Sequence, residues 1–92
     1  MNRLPDLLLF TSAFCDPCMQ TREVLAEVKR LLPAIDVREL DIVRDEDQAA
    51  AFEIRTTPTV VLADSAGTEI FRAAGVPTIN QVLAAVAGAI AP

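Results

Sequence analysis

The chain has 92 residues, long enough for one domain with a single core and too short for two. Hydrophobic residues make up 52% and aromatic residues only 4%, so the core must be built mainly from Leu, Val, Ile and Ala, and 23% charged residues mark a globular rather than a disordered chain. A net charge of −5 and a pI near 4.5 argue against nucleic acid or an anionic membrane as the main partner.

Near the N terminus the apolar run is Leu7 to Phe10 and, past two polar residues, Ala13. That is shorter than the hydrophobic region of a secretory signal, so a cytoplasmic location is expected. Leu7-Leu8-Leu9-Phe10, bounded by Pro5-Asp6 and Thr11-Ser12, reads as a strand buried on both faces. Pro17 then sits where a first helical turn accepts proline, and Thr21, Val24, Leu25, Val28, Leu31 and Leu32 recur at helical spacing until Pro33 stops the helix. Ile35 to Asp41 partly alternates and reads as a second strand. Asp45-Glu46-Asp47 suits a helix start, with Asp45 and Gln48 spaced as a capping box and Ala49 to Phe52 continuing the helix.

Val60 to Ala63, a turn at Asp64-Ser65-Ala66-Gly67, and Thr68 to Arg72 read as a hairpin. After Gly75 a last helix puts Ile79, Val82, Leu83, Val86 and Ile90 on one face, and its apolar tail is too short to span a bilayer. The order is β-α-β-α-β-β-α, an α/β domain over 1–92. Helical crossovers between the first three strands imply a partly parallel, mixed four-stranded sheet with helices on both faces.

The two cysteines, Cys15 and Cys18, stand in Phe14-Cys15-Asp16-Pro17-Cys18, between the first strand and the first helix. Two intervening residues place one thiol at a helix start and the other about one turn on, within reach of a reversible disulfide. The helix N-terminus favours negative charge, so Cys15 is the expected nucleophile and Cys18 the resolving thiol. Two other readings exist. A zinc or cluster site needs about four ligands and would require carboxylates or a second chain, and an inert pair of small buried side chains would have no chemistry at all.

Cys15-Asp16-Pro17-Cys18 at a strand-to-helix junction, Ile54-Arg55-Thr56-Thr57-Pro58-Thr59 before the hairpin, and Gly75 before the last helix together resemble the thioredoxin family. The likeness runs from Leu7 to Ile90, is strongest to small thioredoxins and glutaredoxin-like thioredoxins, and lacks the extra N-terminal strand and helix of a typical thioredoxin. It implies a thioredoxin-like fold and a protein-disulfide reductase that works without metal or organic cofactor. It also implies a cis bond before Pro58, a Thr57 backbone that pairs with an extended substrate segment, and a Gly75 that lets the chain approach the substrate groove. Electrons would return from a flavin-dependent thioredoxin reductase or from glutathione, and the protein would act as a monomer.

The departures from the family pattern carry expectations of their own. Phe14 stands for the usual Trp and offers either an apolar docking rim or a packing side chain. Asp16 stands for the usual Gly, and its charge beside Cys15 should disfavour the thiolate and make the protein reducing. Leu9 replaces the buried aspartate of the family, so the Cys18 proton goes either to water or to a carboxylate of the neighbouring strand; Glu39 is that candidate, its other reading being a solvated strand carboxylate. Glutaredoxin is the nearest competitor, but its Cys-Pro-Tyr-Cys and its Gly-Gly before the last helix are missing from Ala73-Ala74-Gly75-Val76-Pro77. A different class of function is a binding module that presents the Thr57-Pro58 groove with the cysteines incidental.

Overall fold

The computed structural model describes residues 4–90. Its elements are β1 (Asp6–Thr11), α1 (Asp16–Leu31), β2 (Asp36–Asp41), α2 (Glu46–Ala51), β3 (Thr59–Ala63), β4 (Glu69–Ala74) and α3 (Ile79–Ile90), the order expected from the sequence. The strands lie side by side as β2-β1-β3-β4. β1 runs parallel to β2, with Leu9 opposite Glu39, and antiparallel to β3, with Phe10 opposite Thr59. The hairpin of β3 and β4 closes the mixed sheet, with a register shift between Leu62 and Ala63.

Burial follows position in the sheet. β1 and β3 are central, and every residue from Leu7 to Thr11 and from Thr59 to Ala63 is buried. Their alternating side chains feed two cores on opposite faces. On one face Leu7, Leu9, Val60 and Leu62 meet Leu25 and Val28 of α1 and Val82 and Val86 of α3. On the other, Leu8, Phe10, Leu40, Val61 and Ala63 meet Ala49 of α2, with Phe52 packed against them. Each fully buried large aliphatic side chain contributes about 1.5–3 kcal/mol over an exposed one, and the two central strands supply about half of the buried apolar side chains. β2 and β4 are edges, and β2 carries Asp36, Arg38, Glu39 and Asp41, charges that discourage pairing with another chain.

Four local expectations change. Asp45 does precede α2, but its carboxylate makes no capping bond to the helix. Its Oδ2 instead accepts the Asp41 N–H at 2.9 Å and the Arg44 guanidinium at 2.7 Å, so a stronger cation and an earlier amide hold the cap. The capping box sits at α3. The Gln81 amide donates to Thr78 Oγ1 at 3.1 Å and the Thr78 amide to Gln81 Oε1 at 2.9 Å. Leu31 and Ile90, placed on buried helix faces by periodicity, are 45% and 50% exposed, each being the last residue of its helix. β4 reaches Ala74, two residues beyond the expected strand, since pairing with Thr59 continues the ladder to the end of β3.

The β3–β4 turn is tied by Asp64, whose Oδ1 accepts the amides of Ala66 and Thr68, both at 2.9 Å. Gly67 completes it at φ +85°, a conformation that other residues adopt only with strain.

Candidate active site

β1 leads from the core to the segment that carries the cysteine pair. Where it stops, the chain turns through Phe14, at φ +56°, and delivers Cys15 as the N-cap of α1. A left-handed backbone at an aromatic residue costs about 1–2 kcal/mol. Its effect here is to leave the Phe14 ring wholly in solvent, so Phe14 is a rim residue and packs on no core. Asp16 and Pro17 fill the first helical turn, and proline removes no hydrogen bond there.

Cys15 and Cys18 are joined by a disulfide with Cα atoms 5.2 Å apart. Cys15 is half-buried, whereas Cys18 is completely inaccessible. The Cys15 Sγ accepts the Cys18 N–H at 3.2 Å, a bond that will strengthen when the sulfur carries charge. With the helix dipole behind it, that amide makes Cys15 the sulfur whose anion is supported. The following turn is anchored by Thr21, fully buried, whose hydroxyl donates to Pro17 O at 2.9 Å.

The second segment comes from the chain entering β3. The Thr57-Pro58 peptide is cis, as the resemblance implied, and Pro58 is buried. Pro58 O accepts the Gly75 N–H at 2.8 Å, and Thr59 Oγ1 donates to Thr56 O at 2.7 Å. Gly75 has φ +98° and nothing within 4 Å of where a Cβ would stand. Backbone conformation, and not a protein neighbour, is what requires glycine there. Ser12 Oγ lies 2.6 Å from Thr57 Oγ1, a contact between the two loops.

On the β2 side of Cys15 a groove of about 400 Å³ is walled by Phe14, Asp16, Met19, Arg22, Glu39 and Arg44. Glu39 is gripped there by Arg22, with Nε to Oε1 at 2.7 Å and Nη2 to Oε2 at 2.6 Å, while the Thr11 hydroxyl donates to Oε2 at 3.1 Å. These contacts hold the Glu39 carboxyl below its ordinary pKa, chiefly through the Arg22 hydrogen bond, and raise that of Arg22. Arg44 is likewise paired with Asp45. Asp41 accepts the amides of Val43 and Arg44, at 2.8 and 3.1 Å, which orders the turn below the groove and lowers the pKa of its carboxyl.

The expected site residues Phe14, Cys15, Asp16 and Glu39 thus meet at one groove, while Thr57, Pro58 and Gly75 form its neighbour on the β3 side. Leu9 points into the α1–α3 core, where the aspartate of the family pattern would be. Arg22 and Ser12 went unmarked in the sequence reading. Arg22 lies one helical turn after Cys18, and that spacing is its only signal; Ser12 is found only once the β1–β3 register is known. Among the described residues no three of Cys, Asp and Glu come together as a metal-ligand set, and no helix is long and apolar enough to cross a membrane.

The thioredoxin family model matches residues 2–87. Among solved structures, the chain superposes on thioredoxin from Fasciola hepatica with a TM-score of 0.80 at 19% identity, covering 92% of this chain and 80% of that one. A mutant thioredoxin from Halobacterium salinarum gives 0.85 at 19% identity, with 98% and 78% covered. Mitochondrial thioredoxin 3 from Saccharomyces cerevisiae gives 0.80 at 20% identity, with 95% and 80% covered. No curated protein sequence matches the chain. At such identities the structural likeness establishes the fold, and the family match over nearly the whole chain adds the Cys15–Cys18 pair within disulfide reach that thiol-disulfide oxidoreductases use. The chain belongs to the thioredoxin family.

Proposed function

We propose that the protein reduces protein disulfides through Cys15 and Cys18. The observation that carries this reading is the unequal placement of the two sulfurs: Cys15 half-exposed at the N-cap of α1, Cys18 bonded to it and sealed below. In the reduced protein the Cys15 thiolate attacks one sulfur of a substrate disulfide. A new bond forms between Cys15 and that sulfur, the substrate bond breaks, and the departing sulfur leaves as a thiolate that takes a proton from solvent. Cys18 then loses its proton and attacks Cys15 Sγ. The mixed disulfide breaks, the second substrate thiolate leaves, and two electrons have passed from the dithiol to the substrate.

Thr57 and Pro58 hold the substrate segment in this scheme, Gly75 leaves the backbone open beside it, and Phe14 forms the apolar rim. Pro17 fixes the turn between the cysteines, and Asp16 moderates the Cys15 thiolate. Glu39 receives the Cys18 proton. Its pairing with Arg22 keeps it in the basic form wherever thiols react, and the same pairing makes it a weak base, so its acceleration is modest. No metal or organic cofactor takes part. The partners are disulfide-bearing proteins in the cytoplasm and a reductant, either a flavin-dependent thioredoxin reductase or glutathione, with the protein acting as a monomer.

The test is reduction of insulin disulfides by the wild type and by Cys15→Ser, with the oxidised protein recharged in parallel by NADPH plus a flavin reductase and by glutathione. Turnover by the wild type that Cys15→Ser abolishes supports the reading, and the arm that sustains turnover identifies the reductant. Equal turnover in both proteins overturns the role of Cys15, and no turnover in either overturns the reading in favour of a binding module.

A further inference from the structure

β1 and β3 pair antiparallel up to Phe10 opposite Thr59. Extending that register two residues beyond the ladder sets Ser12 opposite Thr57, and their hydroxyls do meet, at 2.6 Å. Ser12 belongs to the loop that carries Cys15 and Thr57 to the loop that carries Pro58. The pair is therefore a side-chain rung that continues the sheet past the point where its backbone bonds end.

In their other hydrogen bonds the two loops have different partners. Thr56 and Pro58 are tied to Thr59 and Gly75, on the β3–β4 side. The Cys15 loop is tied to α1 through the Cys18 amide and the Pro17 carbonyl. Among the hydrogen bonds of the described residues, the Ser12–Thr57 pair is the one between residues 12–18 and residues 54–59. Both residues are only partly buried, so without a partner each hydroxyl would turn to water and the Thr57 side chain would be free to change rotamer. A neutral O–H to O bond also does not change its charge with pH.

We propose that the Ser12–Thr57 hydroxyl pair is a positioning device that fixes the substrate-pairing segment at Thr57 relative to the Cys15 sulfur. The proposal rests on the disulfide-reductase reading. Ser12 touches neither substrate nor sulfur in it. It acts by preordering Thr57, so that an extended substrate segment meets the sulfur without first ordering the loop.

The test uses Ser12→Ala, Ser12→Thr, Thr57→Val and the double variant Ser12→Ala/Thr57→Val. Insulin reduction gives KM and kcat separately, and NMR three-bond couplings report the Thr57 rotamer in wild type and Ser12→Ala. Loss of the bond should raise KM by about two- to tenfold, the range of one neutral hydrogen bond, with kcat within about twofold. Thr57 should pass from one rotamer to an average, Ser12→Thr should keep the wild-type KM, and the double variant should be no worse than Thr57→Val. An unchanged Thr57 rotamer in Ser12→Ala, or KM effects that add in the double variant, would overturn the proposal. Those results with a working wild type remove the device alone, whereas a wild type that reduces no disulfide removes the functional reading on which it rests.

Discussion

The two sides of Cys15 differ in kind. Toward β2 the wall is charged, with Arg22, Glu39 and Arg44 around a groove. Toward β3 it is neutral, made of Thr57, cis Pro58 and Gly75 and joined to the cysteine loop by the Ser12 hydroxyl. The cause lies in sheet position. β2 is an edge whose outer residues must stay solvated, so charge is cheap there; β3 is covered on both faces, and the loop entering it inherits apolar neighbours. The neutral side accordingly provides shape and the charged side provides field.

The largest contrast is expected in stability. Leu62, fully buried in the central strand β3, should cost about 2–5 kcal/mol when replaced by Ala, whereas Val37→Ala on the half-covered edge β2 should cost about 1 kcal/mol or less. Urea unfolding of both variants checks this, and equal losses would erase the distinction between the strands. Next comes proton transfer on the charged side. Glu39→Gln should slow the release of substrate from the mixed disulfide by less than about tenfold, well short of a well-matched general base, and should change its pH profile. Stopped-flow measurement of that step with an unchanged rate and profile would take Glu39 out of the mechanism.

A smaller effect is expected from Asp16, whose carboxylate is exposed to solvent screening. Asp16→Asn should make the disulfide easier to reduce, by on the order of 10 mV against a glutathione buffer. A disulfide that became harder to reduce would reverse the assigned sign. The smallest effect is the acid dependence of the Arg22–Glu39 pair. Because the Glu39 pKa is lowered on folding, the pair stabilises the protein above the ordinary carboxylate pKa of 4.5, and that contribution is lost as pH falls through the lower folded value. Both side chains are about half exposed, so the contribution is under about 1 kcal/mol. Urea midpoints at pH 7 and pH 3 should differ less in Arg22→Gln than in wild type.

The sequence made the framework legible because its strongest signals are local. A continuous apolar run marked β1, helical spacing marked α1 and α3, and Asp64 to Gly67 marked the hairpin turn. The cysteine pair and the Thr-Pro dipeptide marked the site through spacing and family likeness. What could not be read depended on partners distant in the chain. Asp45 matched a capping pattern, but Arg44 and the Asp41 amide competed for its carboxylate. Thr78 and Gln81 formed the cap that was missed, although their spacing fits the same pattern. Glu39 was singled out, but the Arg22 that holds it and weakens it as a base is 17 residues away. Phe14 kept two readings until its left-handed backbone put the ring in water.

The central claim is that Cys15 attacks and Cys18 resolves. It is tested most directly by mixing reduced Cys18→Ser protein with a disulfide-bearing protein and locating the trapped bond by peptide mapping. The account predicts a stable mixed disulfide through Cys15, with no such adduct from Cys15→Ser. A trapped adduct through Cys18 in the Cys15→Ser protein, or no adduct in either, would contradict it.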